Sequence, residues 1–369
     1  MKNKIVVLSM LFILSACGGE QTDEFQSSAS QEKQKSYHWR IVTTWPKNLP
    51  GLGRAPEAFA DMVELMSNGR MKITVYGAGE IVPAMGVFDA VSLGTVEMGH
   101  GAAYYWKGKV PVAQFFTAVP FGLNAQEMNG WLHHGGGLAL WQELYSKYNL
   151  VPMAGGNTGV QMAGWYNKEI NSLADIKGMK MRIPGLGGEV FERAGGIAVN
   201  LPGGEIFTSL QTGVIDATEW VGPYNDLTFG LHQAARYYYY PGWQEPGPTL
   251  EFIINKDSFE PLPADLKEII RVAARAVNED MLSEYTARNN SALRELVDTH
   301  KVELRKLPDD VLSELYKISE EIIAEIPGDD ALGQRIYQSY IDYRDDVISY
   351  HDISERAYIN ARADQLKNQ

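Results

Sequence analysis

The chain has 369 residues, 45% apolar and 21% charged, with 33 basic against 46 acidic side chains and a formal net charge of −13. That length suits two domains or one two-lobed unit, and the acidic balance argues against a nucleic-acid binder, which needs a basic face. One cysteine excludes an intrachain disulfide and every cysteine-rich metal site.

The first sixteen residues place Lys2 and Lys4 before an apolar run from Ile5 to Leu14. A basic start, a short apolar core and small residues before a cut describe a secretory signal; a membrane span needs about 20 apolar residues. Leu14-Ser15-Ala16-Cys17 resembles a bacterial lipobox, so residues 1–16 are expected to be cleaved and Cys17 to carry lipid. Residues 17–36 hold Phe25 as their only large apolar side chain, too little burial to order the segment. They read as a lipid anchor and flexible tether, which makes the protein a membrane-anchored periplasmic lipoprotein.

The folded part opens with a strand signal over residues 38–45. A helix over 55–67 follows, with Phe59, Met62, Val63 and Met66 on one face, then a strand over 71–76, a helix over 87–93 and a strand over 96–100. This alternation predicts an open sheet of parallel strands, and residues 37–150 are assigned to a first lobe. A second lobe is expected from residue 151 to 250. It has extended segments at 161–167, 179–183 and 215–221, and helices at 189–194 and 205–211. The four tyrosines at 237–240 read as a strand with packing. Residues 249–255 form a long strand that crosses back. From Pro263 the pattern is helical, with Leu266, Ile269, Ile270, Ala273 and Val277 at a 3.6-residue period, so residues 251–369 return to the first lobe and end in helices.

Catalytic and cofactor motifs are missing from the string. Gly51-Leu52-Gly53 and Gly185-Leu186-Gly187-Gly188 lack nucleotide-binding spacing and read as turn glycines. His133 and His134 are adjacent and point about 100° apart on a helix, so they do not converge on one metal. There is no GxSxG element. Three segments place polar residues inside buried-looking strands: Gln161 after GNTGV, Arg182 in MRIPG, and Glu219 beside Trp220 in DATEWVGP. A buried arginine is either paired with a structural acid or kept for an anionic ligand, and spacing leaves both open.

The strings GNTGVQMAGWYNKEI, DIKGMKMRIPG, GVIDATEWVGPYND and YYYYPGWQEPGPT resemble the extracytoplasmic receptors of TRAP transporters, in the 2-oxo-acid and monocarboxylate branch. The resemblance runs from about His38 to the C-terminus. It implies an α/β, two-lobed periplasmic-binding-protein-like fold (type II-like) with an interlobe ligand cleft and extended C-terminal helices. It further implies that Arg182 holds a ligand carboxylate and that Gln161 is shared between ligand and cation. Glu219 and the Trp220 carbonyl would bind the cation, Glu245 would lie near both, and Tyr104 or Tyr105 would line the pocket from the first lobe. The lipobox departs from many relatives, and Gln244 stands where the branch commonly has a bulky aromatic.

The implied site is anionic. Glu219 and Glu245 beside a carboxylate repel it by about 3 kcal/mol per pair at 5 Å and an effective dielectric near 20. A bridging Na⁺ or Ca²⁺ reverses that, and oxygen-only donors suit a hard cation. A short 2-oxo acid such as pyruvate, or a 2-hydroxy acid such as lactate, can chelate the ion as the lobes close, with Arg182 gripping the carboxylate in a bidentate manner and Trp220 covering the tail. The expected partners are this ligand, the membrane components of a TRAP transporter and the membrane through the lipid. A second copy exchanging residues 353–366 is a further expected partner. The competing reading is an extracytoplasmic carboxylate-processing enzyme with Glu219 or Glu245 as general base, and a weaker third is a structural lipoprotein.

Overall fold

A computed structural model describes residues 35–367. The expected signal, Cys17 and nearly all of the tether lie outside the described residues. Strand β1 (Tyr37–Thr43) buries Trp39, Ile41 and Thr43 and exposes His38 and Arg40, the alternation of a half-buried strand. Helix α1 (Ala55–Met66) turns Phe59 and Val63 into the core. Then come β2 (Met71–Tyr76), α2 (Val87–Ser92) and β3 (Met98–Gly101), with β2 and β3 both parallel to β1. Helix α3 (Ala125–His133) starts at a capping box, in which Asn124 Oδ1 accepts from Glu127 N at 3.1 Å and Glu127 Oε2 accepts from Asn124 N at 2.8 Å. Helix α4 (Gly137–Ser146) leads to β4 (Leu150–Asn157).

The second sheet is built from β5 (Gly164–Tyr166), β6 (Lys180–Arg182), β7 (Ile197–Val199), β8 (Ala217–Thr218) and β9 (Tyr237–Tyr240). Helices α5 (Gly185–Arg193), α6 (Gly203–Gln211) and α7 (Pro223–Thr228) lie between them. Strand β10 (Thr249–Asn255) returns to the first sheet and is followed by α8 (Lys256–Phe259). Helix α9 (Ala264–Asp298) packs on α1 and β4 of the first lobe and on α7 of the second. Strand β11 (Glu303–Lys306), α10 (Asp309–Glu325), α11 (Ala331–Ile353) and α12 (Glu355–Lys367) complete the chain.

The sheet orders are β2-β1-β3-β10-β4 and β11-β9-β5-β8-β6-β7, so the fold is the expected two-lobed α/β type whose lobes exchange chain repeatedly. Several local expectations need correction. The first sheet is mixed, because β10 enters from the second lobe and runs antiparallel to β3 and β4. Strand β4 belongs to the first sheet, so the chain leaves it after Asn157 and not near residue 151. Gly185 to Gly188 open α5 instead of forming a turn. They are there for close approach: a Cβ on Gly187 would sit 2.9 Å from the Gln244 Cβ, and one on Gly188 would sit 2.6 Å from the Ile183 carbonyl oxygen. The tyrosine run is a strand as expected, with Tyr238 stacked 4.0 Å from Trp165.

Candidate functional site

Four chain segments leaving the second sheet converge. Strand β6 ends on Arg182, β8 leads into Glu219 and Trp220, the stretch before β5 carries Gln161, and the turn after β9 carries Gln244 and Glu245. Backbone hydrogen bonds lace them together: Glu219 N to Arg182 O at 3.1 Å, Met162 N to Val221 O at 3.1 Å, and Gln161 N to Glu245 O at 3.1 Å. The side-chain positions are therefore set by main-chain ties between segments remote in sequence. Strand ends facing a crevice are where ligands bind in open α/β sheets.

Arg182 is 1% exposed and Glu219 fully buried. Their ion pair joins Nη1 to Oε1, Nη1 also donates to the Glu219 carbonyl at 3.2 Å, and Nε donates to Leu201 O at 3.2 Å. Nη2 is the edge left toward the pocket, beside the Tyr105 hydroxyl at 3.4 Å. The expected bidentate grip is thus corrected: four of the five guanidinium donors are already engaged inside the protein, and Nη2 keeps one donor for an incoming anion. Of the two readings of a buried arginine, pairing with an internal acid is realised, and that acid is itself one of the expected cation ligands.

The opposite wall comes from the first lobe. Trp45, Leu52, Tyr104, Tyr105 and Leu250 face Thr158, Gln161, Arg182, Trp220 and Val221 around a narrow cavity of about 10 Å³. Trp220 meets Trp45 edge-on at 6.2 Å, and its ring lies 5.1 Å from the Arg182 guanidinium carbon. Both tyrosines left open by the sequence belong to the site, Tyr105 at Arg182 and Tyr104 facing the Glu245 carboxylate.

Electrostatics mark the cluster as short of positive charge. Burial pushes the Glu219 carboxyl up to about 7 against the pull of Arg182. Burial, then the Glu219 charge, lift Glu245 well above the carboxylate range. Four buried side-chain oxygens of this cluster have no hydrogen-bond partner among the described residues: Gln161 Oε1, Glu219 Oε2, Gln244 Oε1 and Glu245 Oε2. Buried acceptors left unpaired cost about 1–3 kcal/mol each, and a hard cation is the group that oxygen donors of this kind satisfy together. The chemistry of this oxygen-only donor set therefore fits Na⁺ or Ca²⁺.

Sequence reading missed the layer behind the first-lobe wall. Trp45 Nε1 donates to His100 Nδ1 at 2.8 Å, so the ring proton sits on Nε2, which donates to Gly155 O at 2.9 Å. Trp106 Nε1 donates to Glu251 Oε1 at 2.5 Å and fixes the turn that bears Tyr104 and Tyr105. A lone histidine or an acid inside a strand carries no pattern that points to a binding wall. Trp45 and Leu52 lie in a loop for the same lack of signal.

The family model described as bacterial extracellular solute-binding protein, family 7 (DctP), matches residues 41–328, and the chain belongs to that family. It is 44% identical over 334 residues to a monocarboxylate 2-oxoacid-binding periplasmic protein of Nostoc sp., covering 90% of this chain and 91% of the relative. A TRAP periplasmic solute-binding protein of Colwellia psychrerythraea, solved with bound calcium and pyruvate, is 41% identical with a TM-score of 0.86, over 89% of this chain and all of its own. One from Pseudoalteromonas atlantica, solved with sodium and pyruvate, is 42% identical with the same TM-score, over 88% of this chain and 99% of its own. One from Bordetella bronchiseptica, a dimer with calcium and picolinate in one site, is 36% identical with a TM-score of 0.88, over 91% of this chain and all of its own. The chain is thus a periplasmic TRAP solute receptor.

Proposed function

We propose that this receptor captures a short 2-oxo monocarboxylate, with pyruvate as the reference ligand, together with Na⁺ or Ca²⁺, and presents it to the membrane components of a TRAP transporter. The observation that carries the reading is the pairing of one buried guanidinium with four unpartnered buried oxygens at the mouth of the second sheet. Relatives above 40% identity that hold pyruvate with either cation support it.

In this reading Arg182 Nη2 and the Tyr105 hydroxyl meet the ligand carboxylate. Gln161, Glu219, the Trp220 carbonyl and Glu245 hold the cation, which supplies the positive charge the two glutamates lack. Tyr104 orients Glu245, and Trp45 with Trp220 encloses the apolar end. Binding stabilises the closed arrangement through contacts that both lobes must supply. The ligand is returned unchanged, so product analysis after long incubation should find only the acid supplied. The Leu-Ser-Ala-Cys string supports anchoring of the mature chain through Cys17. Helix α12 buries none of its residues and exposes Tyr358, Ile359 and Leu366, which supports a second copy covering residues 353–366.

The test is mass spectrometry of small molecules released when the purified protein is denatured, followed by titration of the acid found. A 2-oxo monocarboxylate is expected. A dicarboxylate, a sugar acid or an amine would overturn the ligand class.

A further inference from the structure

Between the lobes runs a contact that touches no pocket oxygen. Asn225, in α7 of the second lobe, is fully buried. Its Nδ2 donates to Pro50 O at 2.9 Å, and its Oδ1 accepts from the Tyr285 hydroxyl at 2.6 Å. With both ends engaged, the amide orientation is fixed, because the flipped form would set its oxygen against a carbonyl oxygen. Pro50 belongs to the first-lobe loop at residues 46–54, between Trp45 and α1, which carries Leu52 of the pocket wall. Gly51 lies against Tyr285 so closely that a Cβ there would come within 2.5 Å of the ring, and its φ of +63° suits glycine.

The other end is rigid. Val221 N donates to Asp226 Oδ1 at 3.3 Å, and Asp226 Oδ2 accepts from Trp165 Nε1 at 2.9 Å and from the Tyr238 hydroxyl at 2.6 Å. The stretch from Glu219 to Asp226 is thereby clamped to the second sheet, and Asn225 projects from that clamp onto the opposite lobe.

We infer that Asn225 is a positioning residue for ligand capture, a latch that holds the 46–54 loop, with Trp45 and Leu52, closed over the pocket. The inference rests on the receptor reading above and adds a determinant of ligand residence time outside the binding shell. Opening the cleft for release must break the bond to Pro50, so the latch acts on the closed state and not on ligand contacts.

The experiment compares Asn225→Ala, Asn225→Asp and Tyr285→Phe with the unaltered protein, by stopped-flow dissociation of pyruvate in saturating Ca²⁺ and by small-angle scattering. Asn225→Asp keeps the acceptor for Tyr285 and loses the donor to Pro50. The two Asn225 variants are expected to release pyruvate about tenfold faster, equivalent to about 1.4 kcal/mol. Association rate and the strengthening by Ca²⁺ should stay unchanged, which a general loss of structure would not spare. Tyr285→Phe should shift release in the same direction by a smaller factor and keeps the test open if an Asn225 variant does not fold. Folded variants with unaltered release rates would overturn the latch. Should the unaltered protein bind no monocarboxylate, the receptor reading fails separately. Scattering then decides the latch: an expanded Asn225→Asp chain supports it, and one as compact as the unaltered protein overturns it.

Discussion

Arg182 and Glu219 are joined twice, guanidinium Nη1 meeting both the side-chain Oε1 and the main-chain oxygen of the same glutamate. The pairing fixes the arginine plane without spending Nη2, and it leaves Glu219 Oε2 without a hydrogen-bond partner. In the proposed reading, one residue thus orients the group that meets the anion and offers an oxygen to the cation. Substrate and ion would then be linked through a shared carboxylate, which predicts cooperative binding.

Replacing Arg182 with lysine keeps the charge but loses the planar donor array. Pyruvate affinity is expected to fall about 100-fold by calorimetry with the fold retained. Arg182→Ala should in addition lower stability by about 3–5 kcal/mol, because it strands Glu219 in the interior.

Glu219→Gln removes one of the two negative charges assigned to the proposed cation site while preserving shape. Ca²⁺ affinity, read by tryptophan fluorescence, is expected to fall at least tenfold. An unchanged affinity would place the ion elsewhere.

His100 ties acid stability to the pocket wall. Burial holds its imidazole down to about 4, opposed by its bond to Gly155. Between about 4 and 6.5 the unfolded chain takes up a proton that the folded one refuses. Its contribution is therefore full above pH 6.5 and is lost as pH falls through that window, on the order of 3 kcal/mol in total. Urea melts at pH 7 and pH 4.5 should show a flatter pH dependence in His100→Gln than in the unaltered protein.

Glu251 has the opposite sign. Burial lifts its carboxyl to about 7, against the hydrogen bond from Trp106. The folded protein therefore binds a proton that the unfolded chain has released between about 4.5 and 7, and stability declines as pH rises across that range. Glu251→Gln mimics the protonated acid, so its advantage over the unaltered chain should grow by roughly 2 kcal/mol from pH 5 to 7.5. Equal melts at both pH values would contradict this.

What the sequence made legible follows its physics. The apolar-rich β10 and the periodic faces of α1 and α9 declared themselves because burial wrote the pattern. Strand β11 did not, since Glu303 to Lys306 is a charged and largely exposed edge held by pairing with β9. Strand β8 shrank to two residues because Glu219 and Trp220 leave the ladder to face the cleft. Arg182, Gln161 and Glu219 stood out as polar residues among buried neighbours, and the structure sets Arg182 directly on Glu219. Trp45, His100 and Asn225 were invisible, because their partners lie 55 residues or more away in the chain.

Calorimetric titration of pyruvate into chelator-stripped protein, with and without Na⁺ or Ca²⁺, probes the shared-carboxylate account most directly. Binding at least 100-fold tighter with one of the cations present is the predicted result. Equal affinity in both conditions would contradict it.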